Sequence, residues 1–343
     1  MTVSRSDCGK LRGIEPIAAQ RPRRRRLIRA WILVAVLLAI AAFGPGPIGR
    51  ARNYVATWMA MDIGAPTGGE PFTRPSAGVP PDVRLAVVGD IGTGDSEEQV
   101  TADAINAIPG RYDGLVLLGD NVYPSGDPAR IPTTVFGPFH KTLEDGTDLL
   151  AVLGNHDVID GNGSGQVAAL GMPGRWYAWH HGPVLVIVLD STRPDDPEQL
   201  AWLERTLATA TEPWRIVALH HPPYSAGWHG SSIDVRQAFQ PLLDRFGVTL
   251  VLAGHDHDYQ RSKPIHGVTY IVSGAGATTR QTNRASFTAA SWSTQHFIDL
   301  EVWCDHLEVR AVGQDGLVYD HVTLEPSAAD SSACDAGATP IAR

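Results

Sequence analysis

The sequence predicts an α/β fold in which two β-sheets form a sandwich flanked by helices. Through the middle of the chain, short apolar runs rich in β-branched residues alternate with helical patterns, which is typical of a buried and largely parallel sheet. After Tyr270 the helical patterns stop, and three strand-like segments follow one another. We expect these late strands to form the second sheet, packed on the first. A hydrophobic helix is expected ahead of the folded domain.

The spacing of the apolar residues and the length of each run identify the individual strands and helices. Apolar runs this short read as strands, whereas patterns of 11 to 14 residues with one apolar face read as helices. The predicted buried strands are 85–88, 115–118, 149–153, 184–189, 216–219, 250–253 and 270–272; the predicted helices are 97–107, 198–208 and 233–246; and the late strands are 296–302, 307–312 and 318–324.

Composition and charge exclude two classes of protein. A chain of 343 residues with 43% hydrophobic content is long and apolar enough to bury one large core, which argues against general disorder. Residues 1–30 contain nine basic and two acidic residues, so of the net charge of −9 about +7 lies there and −16 in the remainder. The globular part is acidic and lacks the excess of basic residues that attracts nucleic acid, so no nucleic-acid partner is expected.

The N-terminal region contains the features of an export segment in the expected order. A basic tail, 1–29, precedes an apolar run, 30–43, and a Pro- and Gly-rich linker, 44–83, leads to the folded domain, 84–326, and a small polar tail, 327–343, predicted to be disordered. The apolar run is shorter than the roughly 20 residues that span a bilayer, which favours a cleaved signal peptide. The candidate processing site, 39–41, lies inside the run, which favours a retained anchor instead.

Both interpretations of this region stay open. One is a single-pass membrane anchor with a cytoplasmic N-terminus and an extracytoplasmic folded domain, and the other is secretion after signal cleavage. Cys304 and Cys334 lie in the exported part, where they either form a disulfide bond or remain free thiols. Oligomeric state has no signal in the sequence.

Five predicted strands run directly into polar side chains. Because the carboxyl ends of parallel strands face the same crevice, these loops can meet at one site. Each cluster alone has an ordinary explanation as a turn or a helix cap, but five in this order point to a metal centre. The clusters are Gly89-Asp90-Ile91-Gly92, Gly119-Asp120-Asn121-Val122-Tyr123, Gly154-Asn155-His156-Asp157, His220-His221 and Gly254-His255-Asp256-His257.

The chemistry of these side chains favours transition metals and phosphate esters. Carboxylate, imidazole, phenolate and amide groups together suit iron, zinc or manganese better than calcium, which prefers oxygen alone. Two such cations about 3.5–4 Å apart can activate water and neutralise the oxygens of a phosphoryl displacement. Hydrolysis of a phosphate ester is therefore the leading hypothesis.

On these motifs, residues 85–276 resemble the calcineurin-like metallophosphoesterases and, among them, the purple acid phosphatases. The feature typical of that branch is a tyrosine three residues after the second aspartate, here Tyr123 after Asp120. The resemblance implies a four-layer α/β/β/α fold and two metal ions bridged by Asp120, with tyrosinate-to-iron charge transfer giving a purple colour. It implies that Asp90, Asp120, Tyr123 and His257 hold Fe(III), and that Asp120, Asn155, His220 and His255 hold a divalent ion, either Fe, Zn or Mn.

The resemblance also implies roles for two histidines outside the ligand set. His156 and His229 would bind the phosphate together with Asn155 and protonate the leaving alkoxide. His221 matches a position that is not a ligand. Asp157, Asp256 and Asp258 are interpreted as groups that shape turns or orient imidazoles. The polar segment 278–294 is either a substrate-facing loop or a solvated surface excursion, with the second favoured.

The expected activity is therefore that of an acid phosphatase. A metal-bound hydroxide would attack a small-molecule phosphate monoester, with histidine as the general acid. One alternative is a metal-dependent phosphodiesterase acting on cyclic nucleotides or phospholipid headgroups, which Tyr123 disfavours because a phenolate chiefly serves a ferric ion. The other is a non-catalytic phosphate-binding module, which the intact ligand set disfavours.

Overall fold

A computed structural model describes residues 70–72, 79–144 and 146–326. The predicted tail, apolar run, C-terminal tail and most of the predicted linker lie outside these residues. The strands are β1 (Glu70–Pro71), β2 (Val83–Val88), β3 (Gly114–Leu117), β4 (Asp148–Ala151), β5 (Tyr177–His181), β6 (Val184–Val188), β7 (Trp214–Ala218), β8 (Leu250–Ala253), β9 (Tyr259–Ser262), β10 (Thr269–Ser273), β11 (Thr288–Trp292), β12 (His296–Val302), β13 (Leu307–Gly313) and β14 (Leu317–Leu324).

Helices connect many of these strands. Asp95 caps the helix Ser96–Ala107 by accepting from the backbone N–H groups of Glu97 and Glu98, and Asp196 caps the helix Pro197–Thr209 in the same way. The α-helices are α1 (Ser96–Ala107), α2 (His140–Glu144), α3 (Ser164–Ala169), α4 (Pro197–Thr209) and α5 (Ile233–Arg245), with a short π-helix at Pro132–Phe136 and 3₁₀ turns at Pro128–Arg130 and Gly161–Gly163.

The prediction of two sheets flanked by helices is confirmed. The first sheet has the order β1-β14-β13-β12-β2-β3-β4, and the second has the order β11-β9-β10-β8-β7-β6-β5. Parallel pairing joins β2, β3 and β4 in the first sheet and β10, β8, β7 and β6 in the second. Parallel pairing therefore accounts for three of the seven strands in the first sheet and four of the seven in the second, and helices connect most of these strands.

The predicted division of strands between the sheets was wrong. The late strands do not form a sheet of their own, because β12 pairs antiparallel with β2, placing Ile298 opposite Val87 and Leu300 opposite Leu85. The meander β12-β13-β14 thereby extends the first sheet, and the earlier strands are shared between both sheets. Short antiparallel connections need no helix, which is why the helical pattern ends at this point.

Side-chain alternation on the strands supplies two apolar layers. On β7, Trp214, Ile216 and Ala218 join a core that contains residues of both sheets, while Val217 on the opposite face joins a second core. The second core contains the buried faces of α4 and α5, and Ala102 and Ile105 of α1 belong to the first. The layering agrees with helices covering both outer faces of the sandwich.

Three features concern the ends of the folded part. Within the predicted linker, Glu70 and Pro71 pair with Val318 and Leu317 of β14. Across the described ranges, no helix has both the length and the apolar character needed to cross a bilayer. Cys304 is disulfide-bonded, and the other two cysteines of the chain, Cys8 and Cys334, lie outside the described residues.

Candidate metal centre

The five predicted strand-end clusters meet where the two sheets present their carboxyl ends. Asp90 follows β2, Asp120 follows β3 and Asn155 follows β4 in the first sheet, while His220 and His255 follow β7 and β8 in the second. The strands that carry these loops are parallel within each sheet, so their carboxyl ends share an edge. The site is therefore assembled from both halves of the sandwich.

Three residues at this edge have a left-handed backbone conformation. The φ angles of Asp90, Asp120 and His255 are 58°, 53° and 72°, values that residues other than glycine rarely adopt and that concentrate at functional sites. Gly154 is needed for a different reason, because a Cβ there would overlap Oδ1 and the backbone nitrogen of Asp120. The turns are shaped to bring carboxylates and backbone into close contact.

One group of donors consists of Asp90, Tyr123 and His257. The Tyr123 hydroxyl donates to Oδ1 of Asp90 at 3.2 Å and lies 3.2 Å from Nε2 of His257. Nε2 of His257 is also 3.5 Å from Asp90 Oδ1, and the other ring nitrogen is held by the Thr278 hydroxyl at 2.6 Å. Three atoms of ligand type thus face one another, with the imidazole fixed from behind.

A second group consists of Asp120, Asn155 and His220. Nε2 of His220 lies 3.1 Å from Oδ1 of Asn155 and 3.5 Å from Oδ2 of Asp120. Its Nδ1 donates to the carbonyl of Leu118 at 2.8 Å, so Nε2 carries a free lone pair when the ring is neutral. This second group mirrors the first in having a carboxylate, an oxygen donor and an oriented imidazole.

The two groups adjoin. One ligand atom each from Asp90, Asp120 and His220 lie within 4.8 Å of one another, and the same holds for His220, His221 and His255. The backbone N–H of His255 donates to Oδ2 of Asp90 at 2.8 Å. The buried atoms therefore converge on a common volume rather than on separate turns.

The charges of this volume fit cations. Burial and the neighbouring Asp90 raise the pKa of Asp120, because two carboxylates out of water repel each other. Among the described residues, the ion pairs of Asp90 and Asp120 are with histidines and include no Lys or Arg. Burial also raises the pKa of Tyr123, with Asp90 and Asp120 adding to the effect, so a phenolate here requires a cation. The donor set thus suits two metal ions.

The two candidate acids, His156 and His229, are both held through Nδ1. Nδ1 of His156 donates to the Pro124 carbonyl at 2.6 Å, and Nδ1 of His229 donates to Oδ1 of Asp256 at 3.1 Å. Nε2 of His156 lies 4.0 Å from Asp120 Oδ2, whereas Nε2 of His229 lies 3.3 Å from Nη1 of Arg280. The His229 ring stacks on His255, with ring centroids 4.3 Å apart.

His221 is the histidine that the sequence did not assign, and its proton position follows from Ser191. The Ser191 hydroxyl oxygen accepts from the backbone N–H groups of His220 and His221 at 3.2 and 2.9 Å, which uses both lone pairs. Its own proton then goes to Nδ1 of His221, 3.0 Å away. Burial lowers the pKa of His221, so the neutral ring carries its proton on Nε2 and is a hydrogen-bond donor.

The three orienting acids differ in what they hold. Asp256 orients His229, as expected, whereas Asp157 accepts from the backbone N–H groups of Asn121, Val122 and Gly154 and so ties two site loops together. Asp258 bonds to Gln260 rather than to an imidazole. Sequence reasoning missed Ser191, Thr278 and Arg280. Ser191 follows an apolar strand as the predicted ligands do, so the same signal was available; the other two are placed only by the fold.

Comparison with known proteins agrees with this architecture. The sequence pattern of the calcineurin-like phosphoesterase family matches residues 83–259. The chain is 31% identical over 246 residues to the tartrate-resistant acid phosphatase type 5 of Oryctolagus cuniculus, covering 58% of this chain and 74% of that relative. It is 28% identical to purple acid phosphatase 21 of Arabidopsis thaliana, covering 60% of this chain and about half, 52%, of the relative.

A solved structure has the same fold. The purple acid phosphatase PPD1 from yellow lupin (Lupinus luteus) superimposes with a TM-score of 0.66 at 19% identity, over 76% of this chain and 57% of that one. The chain belongs to the calcineurin-like phosphoesterase family. Within it, the chain is a purple acid phosphatase-like member.

Proposed function

We propose that this protein is a binuclear-metal phosphatase that hydrolyses phosphate monoesters of small molecules. The observation that carries the proposal is the pair of adjoining donor groups, Asp90-Tyr123-His257 and Asp120-Asn155-His220. Relatives named as acid phosphatases support the choice of reaction. The phenol of Tyr123 argues for a monoesterase of this branch rather than the alternative phosphodiesterase.

The proposed ligand assignment gives each group one cation. Asp90, Tyr123 and His257 would hold Fe(III), since phenolate and carboxylate are hard donors. Asn155, His220 and His255 would hold the divalent ion, and Asp120 would serve both. Bound there, two cations would supply Lewis-acid activation of water and neutralise charge on the phosphoryl oxygens.

The side chains around the ligands would bind the phosphate and supply the proton for the leaving group. The Asn155 amide, His156 and His229 would hold phosphate oxygens beside the ligand groups. Each histidine donates from Nδ1 to an acceptor, so the proton that would pass to the leaving oxygen as the ester bond breaks is the one that the protonated ring carries on Nε2. His221 adds an N–H donor at the same edge of the site.

Steady-state kinetics on the full-length chain test the proposal. Loaded with iron and zinc or manganese, the protein should hydrolyse p-nitrophenyl phosphate and prefer it to bis(p-nitrophenyl) phosphate. Asp120→Ala should lower kcat/KM more than about a hundredfold. Loss of a residue that only supports a metal ligand typically lowers activity about tenfold to hundredfold, and Asp120 is proposed as a ligand itself. Unchanged activity in that variant would contradict the proposal, and preference for the diester would favour a phosphodiesterase.

We also propose that the catalytic domain lies outside the cytoplasm. The basic tail and apolar run that precede it support this, and the disulfide bond at Cys304 suits an oxidising compartment. Fractionation with N-terminal sequencing separates the two forms: an intact N-terminus in the membrane fraction indicates an anchor, and a new N-terminus in the soluble exported fraction indicates cleavage. Recovery in the cytoplasm would overturn the proposal.

A further inference from the structure

Arg130 bridges two loops that carry proposed iron ligands, the β2 loop (residues 89–95) and the β3 loop (residues 119–126). Its Nη2 donates to the carbonyl of Thr93 in the β2 loop at 3.0 Å. Its Nη1 donates to the carbonyl of Tyr123 in the β3 loop. One side chain outside the ligand set therefore ties the two loops together.

The backbone of Arg130 is itself held in place. Arg130 ends the 3₁₀ turn Pro128–Arg130, which Asp127 caps through its side chain. Its own carbonyl accepts from the hydroxyls of Thr133 and Thr134 at 2.8 and 3.2 Å. The guanidinium thus extends toward the two loops from a turn that is fixed at both ends.

The guanidinium lies close against the β2 loop. A Cβ at Gly94 would be 3.0 Å from Nη2 of Arg130, and Gly94 has a φ of 71°, which residues with a side chain rarely adopt. The Gly94 N–H donates to Oε2 of the buried Glu98 at 2.6 Å. The β2 loop is therefore held by Glu98 of α1 as well as by Arg130.

Backbone hydrogen bonds align the two loops, and Arg130 adds charged bonds to them. The Tyr123 N–H donates to the Gly92 carbonyl at 2.8 Å, and the Gly92 N–H donates to the Asp120 carbonyl at 3.1 Å. A guanidinium only donates, and its planar fork can hold two acceptors at a fixed spacing. Because its bonds are charge-assisted, they are roughly twice as strong as neutral ones.

We propose that Arg130 is a positioning residue that sets the Tyr123 phenol beside Asp90 and thereby favours Fe(III) at that group of donors. The Tyr123 hydroxyl is 3.2 Å from Oδ1 of Asp90, and this distance depends on how the two loops are aligned. Within the described part of the chain, Arg130 has no hydrogen bond to the loops of Asn155 and His220, so the divalent ion should depend on it less. This inference rests on the proposed function.

Metal affinity of the full-length protein tests the inference. Chelator competition measures the affinities for Fe(III) and Zn(II) in the wild type, in Arg130→Gln and in Arg215→Gln, with a thermal melt and a visible spectrum of each. Arg215 is the matched control, because its Nη1 likewise donates to a backbone carbonyl, that of Phe246, from the first turn-side residues of β7 at the opposite end from the metal centre.

Fe(III) affinity should fall about tenfold to hundredfold in Arg130→Gln, the loss typical of a residue that supports a metal ligand. The visible band should shift, whereas Zn(II) affinity and the Arg215→Gln protein should match the wild type. Arg130→Lys keeps the charge without the planar fork and should show the same selective loss, so it replaces Arg130→Gln if that variant does not fold. Unchanged Fe(III) affinity, or equal losses of both metals, overturns the inference.

Hydrogen exchange in the metal-free protein separates this inference from the proposed function. The backbone N–H groups of Gly92 and Tyr123 bond across the two loops, so their exchange reports the alignment. Both should exchange about tenfold faster in Arg130→Gln, the size of one lost charged hydrogen bond, and not in Arg215→Gln. If the wild type binds no iron but this difference is found, the proposed function fails and the role of Arg130 in aligning the loops stands. Unchanged exchange in Arg130→Gln overturns that role.

Discussion

Oδ1 of Asp256 accepts two hydrogen bonds from His229, one from the backbone N–H at 2.7 Å and one from the ring Nδ1–H at 3.1 Å. Together they fix both the position of the residue and the tautomer of its imidazole. Asp256 lies between the proposed ligands His255 and His257, so the turn that carries these two residues also orients the candidate acid. The carboxylate acts through His229, as outer partners of site histidines do.

Asp256→Asn should lower kcat for p-nitrophenyl phosphate about tenfold to hundredfold, because an amide holds the ring less firmly in the productive tautomer. The measurement is a double-mutant cycle with His229→Gln, accompanied by thermal melts of each variant. If Asp256 works through His229, the double variant is no slower than His229→Gln alone. Losses that multiply would show that Asp256 acts elsewhere.

Gly154→Ala should release metal without unfolding the chain. The added Cβ would overlap Oδ1 and the backbone nitrogen of Asp120, so the proposed bridging carboxylate must move. Gly174→Ala is the matched control, since its nearest contact is the Trp176 carbonyl at 3.4 Å. Metal content by elemental analysis should fall in the first variant and hold in the second. Full metal content in Gly154→Ala would show that the loop adjusts and that the close approach is not required.

The buried Glu98 predicts a pH dependence of stability. It is 0% exposed, accepts from the Gly94 N–H at 2.6 Å, and burial raises its pKa to about 8 from 4.5. The folded chain therefore keeps a proton that the unfolded chain releases, so the free energy of unfolding falls as pH rises from about 4.5 to about 8. The slope from this group is at most about 1.4 kcal/mol per pH unit.

Glu98→Gln should flatten that slope. Denaturant unfolding at several pH values between about 4.5 and 8 measures it, with the exposed neighbour variant Glu97→Gln as the control. The control should keep the wild-type slope. Identical slopes in Glu98→Gln and wild type would mean that Glu98 is already ionised in the folded protein across this range.

One histidine from each proposed ligand group, His257 and His220, predicts separable metal losses. If His257 serves Fe(III) and His220 the divalent ion, His257→Ala should remove the visible absorption band while some divalent metal stays bound. His220→Ala should have the converse effect, losing divalent metal while keeping the band. Elemental analysis and a visible spectrum of both variants measure this. Equal loss of both metals in His257→Ala would count against the division of ligands.

The meeting of the five loops was predictable because strand ends are a local signal. Each predicted ligand cluster follows an apolar run, and parallel strands must place their carboxyl ends together. Ser191 obeys the same rule after β6 and was overlooked because a serine has no ligand chemistry of its own. Its role depends on hydrogen bonds to His220 and His221, which only the folded backbone brings within reach.

The division of strands between sheets was not predictable in the same way. Residues 296–302 pair with the late strand β13 and also with β2, and nothing in their sequence indicates the second partner, because the same apolar residues are buried beside any strand. Strand β11, at Thr288–Trp292, was likewise missed inside a polar segment, since it is an edge strand of mostly small and polar residues without an apolar run. Thr278 and Arg280 reach the site because that segment folds back on His257.

The most direct test of the binuclear centre is elemental analysis together with the visible spectrum of the purified full-length protein and of Tyr123→Phe. The structure and the family resemblance predict two metal equivalents per chain, iron among them, and an absorption band that disappears in Tyr123→Phe. Less than one equivalent of metal, or an identical band in Tyr123→Phe, would contradict the proposed centre.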